Sequence, residues 1–217
     1  FSNLGTSTRL GYADEQEKSS LRIGRILNAF GWSASDRVIS TGDLDVQAGV
    51  SVDTNLLTAL KDVESAEQGQ FFIGANGNTI FRDRNFKRTQ QFTSNATFGN
   101  GVGELPFSDV ITNFDESRIV NIVSVTRDGG TEQLIQNNTS IDDFGARTSS
   151  LSNTLNVSDN DALSVARQRL AQFENTSPRV EGLVINPLGN TNLWTQTLGR
   201  EIGDKITVKV PTPASTT

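Results

Sequence analysis

A helix that runs straight into a hairpin constrains this chain more than any other feature of its sequence. Between Asp53 and Gln68, the residues Leu56, Leu57, Leu60 and Val63 recur at helical spacing and mark one apolar stripe. Asp53 is the expected N-cap, since its carboxylate can accept from the free amides of the first turn. Gly69 is the expected stop. Residues 70–74 and 78–83 then read as two short strands around Asn76-Gly77, a pair that tolerates positive φ and predicts a type I′ turn. Phe71, Ile73 and Ile80, with Phe72 or Phe81, supply the apolar faces. A striped helix followed by a half-apolar hairpin buries both surfaces when the hairpin covers the helix. That is an α+β arrangement.

The rest of the chain fits the same class. Ile23, Ile26, Leu27 and Phe30 predict an amphipathic helix, capped by Ser19 or Ser20 and ended by Gly31, with Gly24 costing up to about 1 kcal/mol in its interior. Val38 and Ile39, Leu44 and Val46, and Val50 and Val52 mark brief extended segments. The stretch 85–110, rich in Gly and Asn, reads as an irregular connection with a short strand or two and a turn at Pro106. Ile119 to Thr126 is apolar on both faces, the mark of a central strand. Asp128-Gly129-Gly130 turns the chain, and residues 131–137 return as its partner. Residues 150–157 are extended. Ser158 caps a second helix whose stripe is Leu163, Ala166, Leu170 and Phe173, with Asp159 and Asp161 at its positive end. Val180, Leu183 and Ile185 read as a strand with an irregularity near Gly182. Trp194 anchors a short helical turn or loop, and residues 204–210 form a last strand. Pro211 and Pro213 read as a linker. The expected organisation is a β-rich pair of modules: 1–114, α+β with the helix and hairpin, and 115–217, β-rich with one packed helix.

Composition removes several chemistries. The 217 residues contain no Cys and no His, which rules out disulfides, zinc–thiolate sites and imidazole catalysis within the chain. A net charge of −6 disfavours general attraction to nucleic acid or anionic lipid. No apolar run approaches the roughly 18 residues of a membrane span. With no Met and Phe1 at its start, the chain is expected to be part of a longer polypeptide.

The remaining candidates each have an ordinary explanation. Glu64 and Glu67 lie one helical turn apart, as paired glycosidase carboxylates or metal ligands can. They also sit at a helix C-terminus, where negative charge calls for a cationic partner. Arg82 and Arg84, in a basic cluster with Lys87 and Arg88, are the expected partners, so structural ion pairs are favoured over catalysis or nucleic-acid binding. Asp43 with Asp45, and Asp159 with Asp161, lack the turn glycine and distal Glu of a calcium loop. The sequence 99–103 lacks the Lys-Ser/Thr of a phosphate loop. Trp32 and Trp194 read as packing anchors before sugar platforms. No catalytic, metal or cofactor site is expected.

The order of these pieces resembles a known family. The stretch from Leu56 to Arg84, with its acidic helix end, aromatic strand, Asn-Gly turn and Arg-ended strand, is similar to a segment of tail-tip hub and minor tail proteins of long-tailed, especially actinobacterial, bacteriophages. Phe114, Asp115, Ile119, Asn121, Val123, Val125 and Arg127 match a second stretch of that family, with Phe114 where Tyr is usual. Residues 166–187 and 198–210 resemble its closing helix and strands, so the likeness runs from about Leu21 to Val210. The resemblance implies a hub-like architecture of small α+β and β-barrel-like domains. It also implies a structural, non-enzymatic subunit of the virion tail tip, made in the bacterial host cytoplasm. The implied partners are further copies in a homotrimer, the distal tail protein, the tape measure and the fibres, with DNA passing through on infection. A secreted or surface glycan-binding adhesin is the alternative, and a carboxylate glycosidase acting through Glu64 is a third.

Overall fold

The computed structural model describes residue 13 and residues 15–49, 55–86, 95–113, 118–175 and 179–210, Arg179 by its backbone only. Its elements, in chain order, are β1 (Glu17–Lys18), α1 (Ser19–Ala29), β2 (Arg37–Ile39), β3 (Asp45–Val46), α2 (Leu56–Glu67), β4 (Gln70–Ile73), β5 (Thr79–Arg82), β6 (Ala96–Phe98), β7 (Asp109–Asn113), β8 (Ile122–Arg127), β9 (Gln133–Gln136), α3 (Asn138–Phe144), β10 (Thr148–Thr154), α4 (Asp159–Phe173), β11 (Arg179–Val184), α5 (Thr191–Leu198) and β12 (Ile206–Val208). The class is α+β, and no sheet among the described residues closes into a barrel.

Two compact units form, and neither is continuous in sequence. Unit 1 is Phe1–Phe86 with Glu116–Thr176, and unit 2 is Lys87–Asp115 with Ser177–Thr217. This differs from a single cut between 114 and 115. The reason is strand pairing. β7 pairs with β11 and β6 pairs with β12, so the middle of the chain joins its end. Phe114 and Asp115 lie outside the described residues, as do Asp53, Lys87, Arg88, Pro211 and Pro213.

Unit 1 holds two three-stranded sheets. In the first, β5 lies between β2, parallel to it, and β4, antiparallel. Thr79 and Phe81 of β5 are buried, and Phe81 packs with Ile23, Ile26 and Leu27 of α1 and with Leu60 and Val63 of α2. The hairpin covers the helices, as the pattern requires. The helical stripes are rotated from expectation. Leu57 is 59% exposed and Phe30 48%, while Ala59 and Ala66 are buried. Small residues admit the close approach of α1 to α2, and the larger ones stay at the rim.

Local chemistry explains the element ends. The cap of α2 is Asn55, two residues beyond the expected Asp53, and its side chain accepts from the Thr58 amide. It ends on Gln68, at φ 57, and not on Gly69. Gly69 is required for another reason: a Cβ there would lie 2.5 Å from the Arg82 carbonyl oxygen. The hairpin turn runs from Gly74 to Gly77, whose amide donates to the Gly74 oxygen. Only Gly77, at φ 83, is left-handed, and the Asn76 carboxamide accepts from the Asn78 amide. Type I′ needs positive φ at both central residues, so the turn differs from the expected one.

The second sheet has β8 at its centre, antiparallel to β9 and parallel to β10. Val123 and Val125 are fully buried against Ala162, Val165 and Ala166 of α4. The apolar pattern on both faces of this strand reads correctly as central. Helix α4 begins with the expected Ser158 cap, and Asp161 completes a capping box. Its buried face is turned one residue from the expected stripe, because the sheet takes Ala162 and Val165 and leaves Leu163 at the edge.

Asn121 ties this sheet to α3. Its carboxamide donates to Gly145 O at 2.8 Å and to Ser140 Oγ at 3.3 Å, and accepts from the Arg147 amide at 2.7 Å. The residue is fully buried. Asn121→Leu is expected to cost about 2–3 kcal/mol, because it leaves a buried amide and carbonyl unpaired. Urea unfolding of the two proteins measures this directly.

Unit 2 is built more sparely. Its sheets are two-stranded ribbons, β7 with β11 and β6 with β12. The β7–β11 register shifts between Val180 and Gly182, at the place where the sequence suggests an irregularity. Among the described residues, its buried apolar side chains are Phe98 and Leu193.

Candidate functional site

The four charged residues that the sequence singles out lie on the helix–hairpin unit. The C-terminal end of α2 carries Glu64 and Glu67, and β5 with the residues after it carries Arg82 and Arg84. Glu67 lies on the same face as Leu60 and Val63, at spacings of three and four, and is fully buried. Every lone pair that a carboxylate offers is in use. Oε2 accepts from Ser19 Oγ at 2.8 Å and the Leu44 amide at 3.0 Å. Oε1 accepts from the Asp43 amide at 3.1 Å and the Arg84 amide at 3.4 Å.

Arg84 meets the same residue from the other side. Its Nε donates to the Glu67 carbonyl oxygen at 3.0 Å, and Nη1 donates to Ser164 Oγ at 3.1 Å. Burial pushes the guanidinium below its usual range, and the nearby charges of Glu67, Asp43, Asp161 and Asp83 oppose that shift. Glu67 and Arg84 are therefore brought together, through the backbone of each as well as through charge. Glu64 goes elsewhere: Oε2 pairs with Lys61 at 2.5 Å, and Oε1 accepts from the Phe71 amide at 2.9 Å. The Arg82 guanidinium stacks over the rings of Phe72 and Phe86, 5.1 and 4.1 Å from their centres.

This arrangement suits a framework. Glu67 joins the start of α1, the 43–44 loop, the end of α2 and the exit of β5, segments that lie far apart in sequence. The expected cap of α1 is Ser19 or Ser20, yet the Ser19 hydroxyl serves Glu67, and α1 begins without a side-chain cap. Beside Glu67, Asn156 Nδ2 donates to Ala66 O at 3.1 Å, and Gln47 Nε2 donates to Asn156 O at 2.6 Å. These bonds tie the residues that follow β3 and β10 to the end of α2. A glycosidase pair needs two carboxylates facing one open space, and Glu67 faces none.

A second charged cluster holds the start of α1. Glu17 pairs with Arg22 at 2.6 Å and Arg25 at 2.8 Å, and its side chain is 8% exposed. Burial alone would raise the Glu17 carboxyl. Hydrogen bonds from Arg25 and Arg22, with their charges, reverse that and hold it below the usual carboxylate value of 4.5. A group whose pKa is lowered by folding stabilises the fold fully above its unfolded value. That contribution disappears as pH falls through the folded value. The urea midpoint is therefore expected to drop as pH falls below about 4.5, and less steeply in Glu17→Gln, which titration of unfolding between neutral and acid pH would show.

Among the described residues, no group of three or more carboxylates is placed to hold a metal ion. No helix among them is long and apolar enough to cross a membrane. Trp32 and Trp194, expected as packing anchors, are 40% and 44% exposed, and in α5 the buried residue is the neighbouring Leu193.

Unit 2 supplies what the sequence did not single out, an apolar surface. Val102 is fully exposed, Leu188 78%, Leu198 72%, Ile202 57%, and Ile111 and Val210 each about half. A groove of about 340 Å³ lies beside β11 and β12, lined by Val180, Glu181, Gly182, Leu183, Ile206 and Val208. The sequence carries no distinct signal for it, because the apolar share of residues 177–210 equals that of the whole chain.

No protein-family profile and no curated protein matches the chain. Solved structures do. A tail protein from Neisseria meningitidis MC58 superposes with a TM-score of 0.53 at 9% identity, over 93% of this chain and 60% of that one. The prophage tail protein gp18 from Listeria monocytogenes EGD-e is matched over 78% of this chain and 52% of that one, at 11% identity and a TM-score of 0.44. At such identity the likeness is one of fold: this chain shares an α+β fold with part of a tail protein, spanning 60% of the Neisseria protein's length.

Proposed function

We propose that the chain is a structural component of a bacteriophage tail, and within the tail a part of the tip hub. The observation that carries this reading is the fold shared with the Neisseria tail protein across 93% of the chain. Two features of the molecule support it. The charged residues of the helix–hairpin unit are spent on holding segments together, as a rigid subunit requires. The apolar side chains left uncovered in unit 2 suit a protein that works among neighbours.

In this role the chain assembles as a homotrimer at the end of the tail tube. It contacts the distal tail protein, the tape measure and the fibres, and DNA passes it without specific binding. The whole net charge of −6 belongs to unit 1, because unit 2 carries six Lys and Arg against six Asp and Glu. An acidic unit 1 facing the tube would repel DNA and keep the path clear.

Gold-labelled antibody against the chain is expected to mark the distal tail end of purified virions under the electron microscope. A chain absent from purified particles would overturn the proposal. The adhesin alternative has one observation in its favour, the partial exposure of Trp32 and Trp194. A glycan-array signal abolished by Trp32→Ala or Trp194→Ala would decide for it.

A further inference from the structure

Unit 2 has little of its own to hold it closed. It comprises Lys87–Asp115 and Ser177–Thr217, about 70 residues. A fold of that size has a small core and is commonly reinforced by disulfides. This chain has no Cys. Among the described residues, the buried apolar side chains of unit 2 are Phe98 and Leu193, and every other one belongs to unit 1. Its strands pair only as two-stranded ribbons, which are marginal in water by themselves. β6 and β12 are three residues each, and the β7–β11 ribbon shifts register between Val180 and Gly182. Near α5, Gln196 Oε1 and Arg200 Nε are buried without a hydrogen-bond partner, a cost that the closed unit carries and the open one does not.

Unit 1 differs on each count. Its two three-stranded sheets each pack on helices around a cluster of fully buried apolar side chains. The two pieces that build it, Phe1–Phe86 and Glu116–Thr176, are also bonded directly to one another. Val46 bridges to Asn156, Asn156 Nδ2 donates to Ala66 O at 3.1 Å, and Arg84 Nη1 donates to Ser164 Oγ at 3.1 Å. Residues 87–115 therefore span a loop whose ends unit 1 holds without them, and the entropy cost of a free loop grows only slowly with its length.

We propose that unit 2 opens on its own while unit 1 stays folded, so that the free chain unfolds in two steps, unit 2 first. The fold then joins a firm unit to a yielding one. A neighbour that binds only the closed form of unit 2 stabilises it by mass action, which makes the unit most complete where it has a partner. Opening is a property of the free chain, so its absence would leave the tail reading standing.

Hydrogen exchange of the unmodified full chain tests this without any substitution. The amides bonded within β6, β7, β11, β12 and α5 should be at least about a hundredfold less protected than those within β5, β8 and α2. The two tryptophans read the steps separately, because each unit holds one. Trp32→Phe leaves Trp194 to report unit 2, and Trp194→Phe leaves Trp32 to report unit 1. The urea midpoint seen by Trp194 should be the lower of the two. Leu193→Ala, which removes a buried side chain of unit 2, should lower that midpoint further or leave unit 2 open in water, and the midpoint seen by Trp32 should stay in place. Equal protection of the two units, coincident midpoints, or unit 2 unfolding after unit 1 would overturn the proposal. So would a Leu193→Ala substitution that moves both midpoints together.

Discussion

Glu67→Ala is expected to lower the unfolding free energy by about 3–5 kcal/mol, a large share of the ~5–15 kcal/mol that holds a typical domain folded. The substitution removes the acceptor for four donors at once: Ser19 Oγ and the amides of Asp43, Leu44 and Arg84. It also leaves the Arg84 guanidinium buried without the carboxylate that most opposes its downward shift. Glu67→Gln preserves the shape and one acceptor oxygen, but turns an amide group toward donors. Its expected cost is smaller, about 1–3 kcal/mol. Urea midpoints of the three proteins give the order directly. Equal stability of Glu67→Ala and the unmodified chain would show that Glu67 does not hold these segments together.

Phe81→Ala should cost about as much, 3–5 kcal/mol, through a different mechanism. The ring is 1% exposed and fills the space between β5 and the two helices, close enough to Gly69 that a Cβ there would lie 3.1 Å from it. Truncation leaves a cavity among the buried side chains of α1 and α2, and the cost includes that void. Phe72 provides the control. It pairs across from Ile80 on the opposite face of the same sheet, is only half-buried, and lies under Arg82. Phe72→Ala is expected to cost about 1 kcal/mol, the lost partial burial and ring–cation contact. A reversed order in thermal or urea unfolding would mean that the sheet presents its other face to the helices.

Comparison of individual residues shows where sequence reasoning reaches. Ser158 and Asp161 cap α4 as their spacing requires, because a cap is decided within four residues. The break near Gly182 and the return of β9 upon β8 were equally local. Asn55 displaced Asp53 as cap of α2, a difference of two residues between similar side chains. Gln68 took the left-handed position expected of Gly69, because Gly69 was needed where the Arg82 carbonyl passes. Helix α3 was not anticipated: seven residues carry too little periodicity to stand out, and the Asn137 cap with the Asn121 bonds makes it. Glu67 reads in the sequence as one half of an ion pair with Arg82 or Arg84; its carboxylate accepts from the Ser19 hydroxyl and three backbone amides. That it belongs to the buried stripe was written in its spacing from Leu60 and Val63, but its charge concealed it.

What the sequence determined by itself is therefore the α+β class, the position of most helices and strands, and the exclusion of thiol and imidazole chemistry. Those properties follow from periodicity, caps, turns and residue types, all of which act over a few neighbours. Only the tertiary structure decided that β6 and β7 belong with β12 and β11, that Glu67 lies out of water, and that unit 2 leaves its apolar side chains uncovered. Strand partners and desolvation depend on groups more than a hundred residues away along the chain, and local pattern carries no record of that distance.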